Sequence, residues 1–559
     1  MKIRMVLAAV LLAFCAPAVR AAEGAPAALS VRFETSLVKV FPADTELAAN
    51  APEAGKLTLA RNEYEALQIL VLAPRDFPEV TVAVGDLAGE NGALIPESAV
   101  AVNAVGYVPV IEPFYKPYHV RLPNQPAWPD PLLPRASASV KAGAVQPFWI
   151  TVHAAADTPP GMYTGTAEVA AAGEVVAQAP LEVHVRDFTL PAHYHLRTCF
   201  WLYPRYIREY HGFESRESPG YGAMITTYLG AMLDHGMCHA DISYDAPAPA
   251  VEITPGVEPD FSEWDAWMGG WIDRGQNFFT VPIFRDEPRE VITLKARLWG
   301  EHLEEKGWLD LACAFMHDET TEGKAQRAWV HEGYPALKNA LTWHPVPECP
   351  NVDIWIPQVE RGYATYPEAV EWARHEGREI WIYSSSPATG PDPGRTAFYP
   401  NTNIDFPATH CRLLPWICWR DDFAGYLYWC VNHWAGNPWE TAETFRNQNG
   451  NGSFFYPGEE GPVASLRAKA FRDGMEDYEY FVLLRERAEA ARAAGVMAES
   501  VEEADEALGL WPDTRTFMYE VNRRPVRRVS SAAIRSTACK IFSARRVISS
   551  MLPIGVATT

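Results

Sequence analysis

An apolar run, Leu311-Ala312-Cys313-Ala314-Phe315-Met316, ends in His317-Asp318-Glu319. Two adjacent carboxylates at the end of a strand are costly unless they face an open surface, because a buried charge needs a partner. On extended chain, neighbouring side chains point to opposite faces, so a bend or bulge must intervene before both acids can reach one reactant. Brought together, one acid can pass a proton to and from a reacting oxygen while the other orients and stabilises the reactant. A rival pair, Asp286-Glu287 before Pro288, stands two residues beyond Phe284 and behind Arg285, which would pair with one of its carboxylates. Asp318 and Glu319 are therefore the candidate catalytic residues. The plainer alternative is that Asp318 caps the next helix and Glu319 opens it, where an acid complements the helix dipole.

The elements that must position these acids follow from periodicity. After Leu196, eight short apolar segments alternate with amphipathic stretches: Thr198–Leu202, Ala240–Tyr244, Phe278–Phe284, Leu311–His317, Ala340–Trp343, Val352–Ile356, Glu379–Tyr383 and Gly425–Val431. Between them, Met224/Ile225, Tyr228/Leu229 and Met232/Leu233 recur at helical spacing before Gly236, and Val291, Leu294, Leu298 and Leu303 do so before Gly307. Eight parallel strands with helical crossovers predict a (β/α)8 TIM-like barrel, whose reacting groups leave the carboxyl ends of the strands. Asp318-Glu319 ends the fourth strand.

Many sugar hydrolases that retain anomeric configuration on this fold carry a second carboxylate, as nucleophile, on the seventh strand. Here that strand ends Ile382-Tyr383-Ser384-Ser385-Ser386, without an acid. Substrate-assisted hydrolysis dispenses with it, because a 2-acetamido oxygen of the sugar attacks the anomeric carbon. An adjacent pair suits that chemistry, with Glu319 as acid and base and Asp318 as partner of the acetamido group. Sugar faces stack on aromatic rings, and Trp343, Trp355, Tyr383 and Trp434 are the candidate platforms. The Tyr383 hydroxyl could also hold the acetamido oxygen. Asn432 and Asn437 could read sugar hydroxyls, although Asn437 before Pro438 also suits a turn.

Residues 28–190 read as a β-sandwich of short β-branched runs punctuated by Pro, Gly, Asn and Asp, with Gly161–Gly165 as a turn feeding a strand. Residues 196–446 form the predicted barrel, and 447–510 a strand and a long charged helix, where Arg467, Arg472, Glu476 and Asp477 suit an ionic network. Residues 1–21 read as a cleavable export signal, with Lys2 and Arg4 before the apolar run Val6–Phe14 and a small-residue site at Val19-Arg20-Ala21. This predicts a secreted or periplasmic protein. Residues 520–559 read as a disordered tail, with eight basic residues and no acid after Glu520.

The 559 residues carry 48 basic and 70 acidic side chains, a formal charge of −22, which argues against a nucleic-acid partner. No segment reads as a membrane span, and nothing in the sequence signals an oligomeric state. The nine cysteines are scattered without CxxC pairs, and His235 and His239 are separated by Gly236 with no third ligand nearby, so no metal site is expected.

Several stretches resemble glycoside hydrolase family 123 and the broader domain of unknown function 4091. They are Glu305-Lys306-Gly307-Trp308-Leu309-Asp310 with the following strand and Asp318-Glu319, and Tyr428-Trp429-Cys430-Val431-Asn432-His433-Trp434 with Asn437-Pro438-Trp439. Phe455-Tyr456-Pro457-Gly458 and Ser465–Tyr480 extend the likeness, as do Asn62-Glu63 and Gly161–Gly165 in the N-terminal region. The resemblance implies a retaining, substrate-assisted β-N-acetylgalactosaminidase that needs no metal or other cofactor and acts on a glycan or glycoconjugate. It places the two catalytic roles on Asp318 and Glu319. The family pair is commonly followed by Pro, where Thr320 stands here. A hydrolase of a non-acetamido sugar and a non-catalytic carbohydrate-binding or surface protein remain as alternatives.

Overall fold

Apolar residues alternate with polar ones between Leu29 and Leu190, and this alternation folds into two facing sheets. The structure, a computed structural model, describes residues 29–110, 126–240, 248–385 and 399–509. The export segment 1–21 and the basic tail 520–559 lie outside the described residues, as do the second strand candidate beyond Ala240, Ser386 and Cys539. One sheet is antiparallel, in the order Ser30–Thr35, Glu63–Leu72, Val145–Ala154, Val100–Pro109, Ala127–Leu132. The other runs Gly55–Arg61, Glu174–Thr189, Gly161–Ala171, Phe77–Val84, Ser137–Val140, with a parallel pairing between its first two strands. Phe33, Ile69, Phe148 and Ile150 from the first sheet pack on Leu57, Leu59, Val169 and Leu181 from the second. Gly161–Gly165 is not a separate turn. It forms the first half of the strand Gly161–Ala171, and Gly165 is required there because the Leu87 side chain occupies the space a Cβ would need.

Beyond Leu196 the strand candidates pair in parallel. Phe279–Val281 pairs with Ala312–Ala314, which meets the next strand through a bridge between Ala314 and Asn339. The ladder continues through Ala340–Leu341, Ile354–Trp355, Glu379–Tyr383, Gly425–Tyr428 and Arg197–Phe200, and ends in a bridge from Phe200 to His239. Helices Tyr221–Leu233, Ser262–Ile272, Arg289–Lys306, Lys324–Gly333, Pro367–His375 and Thr409–Arg420 lie between the strands in the chain. Alternate strand residues divide into two shells. Cys199, Phe278, Cys313, Ala340, Ile354, Trp381, Tyr383 and Leu427 form an inner cluster, while Phe200, Leu341, Trp355, Ile380, Ile382 and Tyr426 pack outward against helices. The inner cluster depends on Gly425, where any side chain would collide with the Trp381 ring.

Among the described residues no backbone ladder joins the His239 segment to Phe279–Val281, and the expected closed barrel is not seen as a continuous ring of pairings. A side chain fills that seam. Gln276 accepts from the His239 amide at 3.2 Å and donates to the carbonyls of His239 and Phe278 at 2.8 and 2.7 Å. The molecule is a mixed β and helical multidomain protein with an N-terminal β-rich region.

The helix Leu466–Ala494 is buried along most of its length, so it has no single apolar stripe. Ser465 caps it by accepting from the Ala468 amide at 3.1 Å. Its charged residues find partners on other elements. Arg467 pairs with Asp130 at 2.8 Å, Asp477 with Arg412, and Glu479 with His195 at 2.6 Å. Glu476 accepts from the Tyr64 amide at 3.0 Å, and Tyr480 donates to Glu63. The seven cysteines among the described residues are buried free thiols.

Candidate active site

The fourth strand of the parallel set carries one extra residue before its acids. Ala314 is bridged to Asn339 and Asp318 to Thr342, so four steps on this strand match three on its neighbour. Such a bulge inverts the alternation of side chains. Ala314 faces the outer helices, whereas Asp318 reaches Thr342, which lies two residues after the inward-facing Ala340. Glu319 then departs from extended geometry altogether, with φ +48°. The bulge and this left-handed residue together meet the requirement read from the sequence, because adjacent acids no longer point to opposite faces.

The Thr342 hydroxyl accepts from the Glu319 amide at 2.9 Å and donates to Asp318 Oδ1. Tyr383, the last residue of the strand Glu379–Tyr383, donates its hydroxyl to Glu319 Oε1. Both acids keep solvent-exposed surface, yet enough protein surrounds Asp318 that desolvation raises its carboxyl above the usual range. The Thr342 hydrogen bond opposes that rise and the Glu319 charge adds to it. Burial and the two acids push the Tyr383 phenol strongly upward, so it remains a donor at any physiological pH. Tyr203, which follows the strand Arg197–Phe200, is raised by burial, by Cys430 and by Asp318. The His317 ring packs against Gly323, and burial with Arg327 and Arg285 lowers it to about 4. That imidazole is neutral and no proton source near neutral pH. An acid and a neighbouring carboxylate held by hydroxyl donors can exchange a proton with a leaving group and stabilise adjacent positive charge.

The remaining candidates fall elsewhere. Trp355 is 1% exposed and packs outward with Val370 and Ala373, since it is the outer member of its strand. Trp343 is half-buried against the same outer cluster, with its ring 5.1 Å from that of His344. Trp434 is buried among Tyr210 and Tyr228 and donates its indole N–H to the Phe455 carbonyl at 3.0 Å. Asn432 is fully buried. It accepts from the Tyr203 amide at 2.9 Å and donates to the Tyr203 carbonyl at 3.0 Å, so in this structure it positions Tyr203. Asn437 closes a turn, accepting from the Trp439 amide at 3.1 Å and donating to Glu440 at 2.9 Å. In the rival pair, Glu287 accepts from the Phe284 amide and pairs with Lys295 of the following helix.

Two aromatics that reading the sequence passed over lie at the inner ends of strands. Trp201 and Phe315 pack on the inner cluster with ring centroids 5.2 Å apart, both half-buried. The signal was available, because each stands two residues beyond an inward-facing cysteine, Cys199 or Cys313. Among the described residues no group of three or more His, Cys, Asp or Glu could hold a metal ion, and no helix is long and apolar enough to cross a membrane.

Comparison with known proteins agrees with this architecture. The structure superposes on a family 123 glycoside hydrolase from Clostridium perfringens, studied for glycolipid glycan hydrolysis, with a TM-score of 0.68 and 16% identity over 93% of this chain and 99% of that one. A family 39 glycoside hydrolase from Bacteroides cellulosilyticus matches at a TM-score of 0.33 and 10% identity over 75% of this chain and 81% of that one, too distant to bear on the fold. No curated protein matches the sequence. Residues 44–171 match the glycoside hydrolase 123 N-terminal domain and residues 270–484 the glycoside hydrolase 123 catalytic domain. These two models span most of the described chain, and the protein belongs to glycoside hydrolase family 123.

Proposed function

We propose that this protein is an exported β-N-acetylgalactosaminidase that hydrolyses terminal β-linked 2-acetamido sugars of glycans or glycoconjugates by substrate assistance. Glycolipid glycans, the substrates of the Clostridium perfringens relative, are one such class. The parallel strands act as an eight-stranded barrel with its seam latched by Gln276. The observation that carries the reading is the joint placement of Asp318, Glu319 and Tyr383, with a phenol where a second-carboxylate mechanism would need an acid.

In this mechanism Glu319 protonates the glycosidic oxygen as the bond to the anomeric carbon breaks. The acetamido oxygen forms the new bond to that carbon, giving an oxazoline-like intermediate whose positive charge Asp318 stabilises while accepting the acetamido N–H. Glu319 then removes a proton from water as its oxygen attacks the anomeric carbon, which reopens the ring with retained configuration. Tyr383 holds Glu319 Oε1 in the free enzyme. Its hydroxyl turns to the acetamido oxygen once a sugar enters. Trp201 and Phe315 supply the wall against which the sugar packs. No cofactor enters these steps.

A panel of chromogenic β-glycosides with and without the 2-acetamido group tests the reading. Hydrolysis confined to acetamido sugars and abolished in Glu319→Gln is the expected result. Equal turnover of plain galactosides would remove substrate assistance, and binding without turnover, unchanged in Glu319→Gln, would mark a carbohydrate-binding protein.

A further inference from the structure

Thr342 follows the strand Ala340–Leu341, is 2% exposed, and touches both acids through one hydroxyl. The hydroxyl serves one acid as acceptor and the other as donor. A backbone amide can only donate, so the Thr342 oxygen accepts from Glu319. The hydroxyl proton goes to Asp318 Oδ1, a bond that is stronger when the carboxyl is ionised. Glu319 needs such a tether, because a non-glycine residue at φ +48° persists only where its surroundings compensate the strain. A β-branched residue supplies it well, since branching restricts rotation about χ1 and keeps the hydroxyl in place.

We propose that Thr342 is a positioning residue for the acid pair: it holds Glu319 in its left-handed conformation and keeps Asp318 ionised and turned toward the same reactant. This rests on the reading of Asp318 and Glu319 as the catalytic pair. The surroundings of Asp318 make Thr342 hard to replace. Glu319 on the same segment adds like charge, and burial further disfavours ionisation. The Asp318 charge is felt by the Tyr203 and Tyr383 phenols at two other strand ends, and that of Glu360 by Tyr383. Of the influences on the Asp318 carboxyl, Thr342 alone favours the charged form.

Thr342→Val keeps the shape and removes both hydrogen bonds, whereas Thr342→Ser keeps the hydroxyl. On an acetamido glycoside, Thr342→Val is expected to lower kcat by as much as about 100-fold with KM little changed. The acid limb of its pH–rate profile should move up by about one pH unit, because the ionised form of Asp318 has lost its donor. Thr342→Ser should restore most of the rate and the original limb. An unmoved acid limb in Thr342→Val, or a Thr342→Ser variant as impaired as Thr342→Val, would overturn the proposal, since a purely structural loss lowers activity alike at every pH. Should the wild-type protein fail on acetamido sugars, the catalytic reading falls by itself, and the crystal structure of Thr342→Val decides the positioning role. Glu319 is expected there to leave its left-handed conformation and its contact with Tyr383; an unchanged acid pair would refute it.

Discussion

Asp318 carries a cost that its position explains. Its carboxyl is raised by desolvation and by the Glu319 charge, so the folded state binds a proton more readily than the unfolded chain does. Stability that depends on this group is therefore greatest at acidic pH and falls as pH rises through its raised value. Asp318→Asn removes that charge. The variant is expected to lose roughly 100- to 1000-fold in kcat, the scale of losing one preorganised electrostatic group, while melting no lower than wild type at neutral pH. Rate assays and thermal melts across the acidic and neutral range check both halves. A variant that retains activity would remove Asp318 from the mechanism. The placement of Asp318, Glu319 and Tyr383 at strand ends was legible in the sequence, because each ends an apolar run, and the rule for parallel strands makes such ends the place to look for reacting groups. Thr342 and Tyr203 were not, because their roles come from neighbours on adjacent strands. The outward face of Trp355 was not legible, because an apolar run buried on both sides gives no clue to which face a given ring occupies.

The strands themselves were readable as elements for the same reason that their faces were not. Seven of the eight apolar segments contain a paired strand, and the eighth begins at the His239–Ala240 edge of the described chain. The bulge before Asp318 was anticipated as a geometric necessity, though its place emerges only from the unequal spacing of the two bridges. The Gln276 seam had no sequence signature, since a glutamine that substitutes for backbone pairing looks like any other. Packing within the inner cluster is tight enough to test. Gly425→Ala places a methyl group against the Trp381 ring, and overpacking of this kind costs about 1–3 kcal/mol. Urea denaturation should show a lower midpoint with an unchanged slope; an unaltered midpoint would mean that Trp381 can shift freely.

At the scale of the whole molecule, the helix Leu466–Ala494 ties the β-rich region to the parallel strands through buried ions. One of its contacts is sensitive to pH. Hydrogen bonding to Glu479 raises the His195 imidazole above its ordinary value. A raised histidine contributes stability that is fully present below the unfolded value, about 6.5, and lost as pH climbs through the folded one. Wild-type protein is expected to lose melting temperature across that window, and His195→Gln to flatten the loss; parallel curves for the two proteins would show that the pair contributes nothing. The family resemblance was carried by motifs along this same helix and around the acids, which is why the sequence pointed to family 123 before any sugar-binding surface could be drawn. The helix also sets a timetable for biosynthesis. Glu63 is 1% exposed, and one of its partners, Tyr480, lies 417 residues downstream. As the chain leaves the ribosome, the first domain emerges with this acid still missing its distant phenol, and its base is sealed only when nearly the whole described polypeptide has been made.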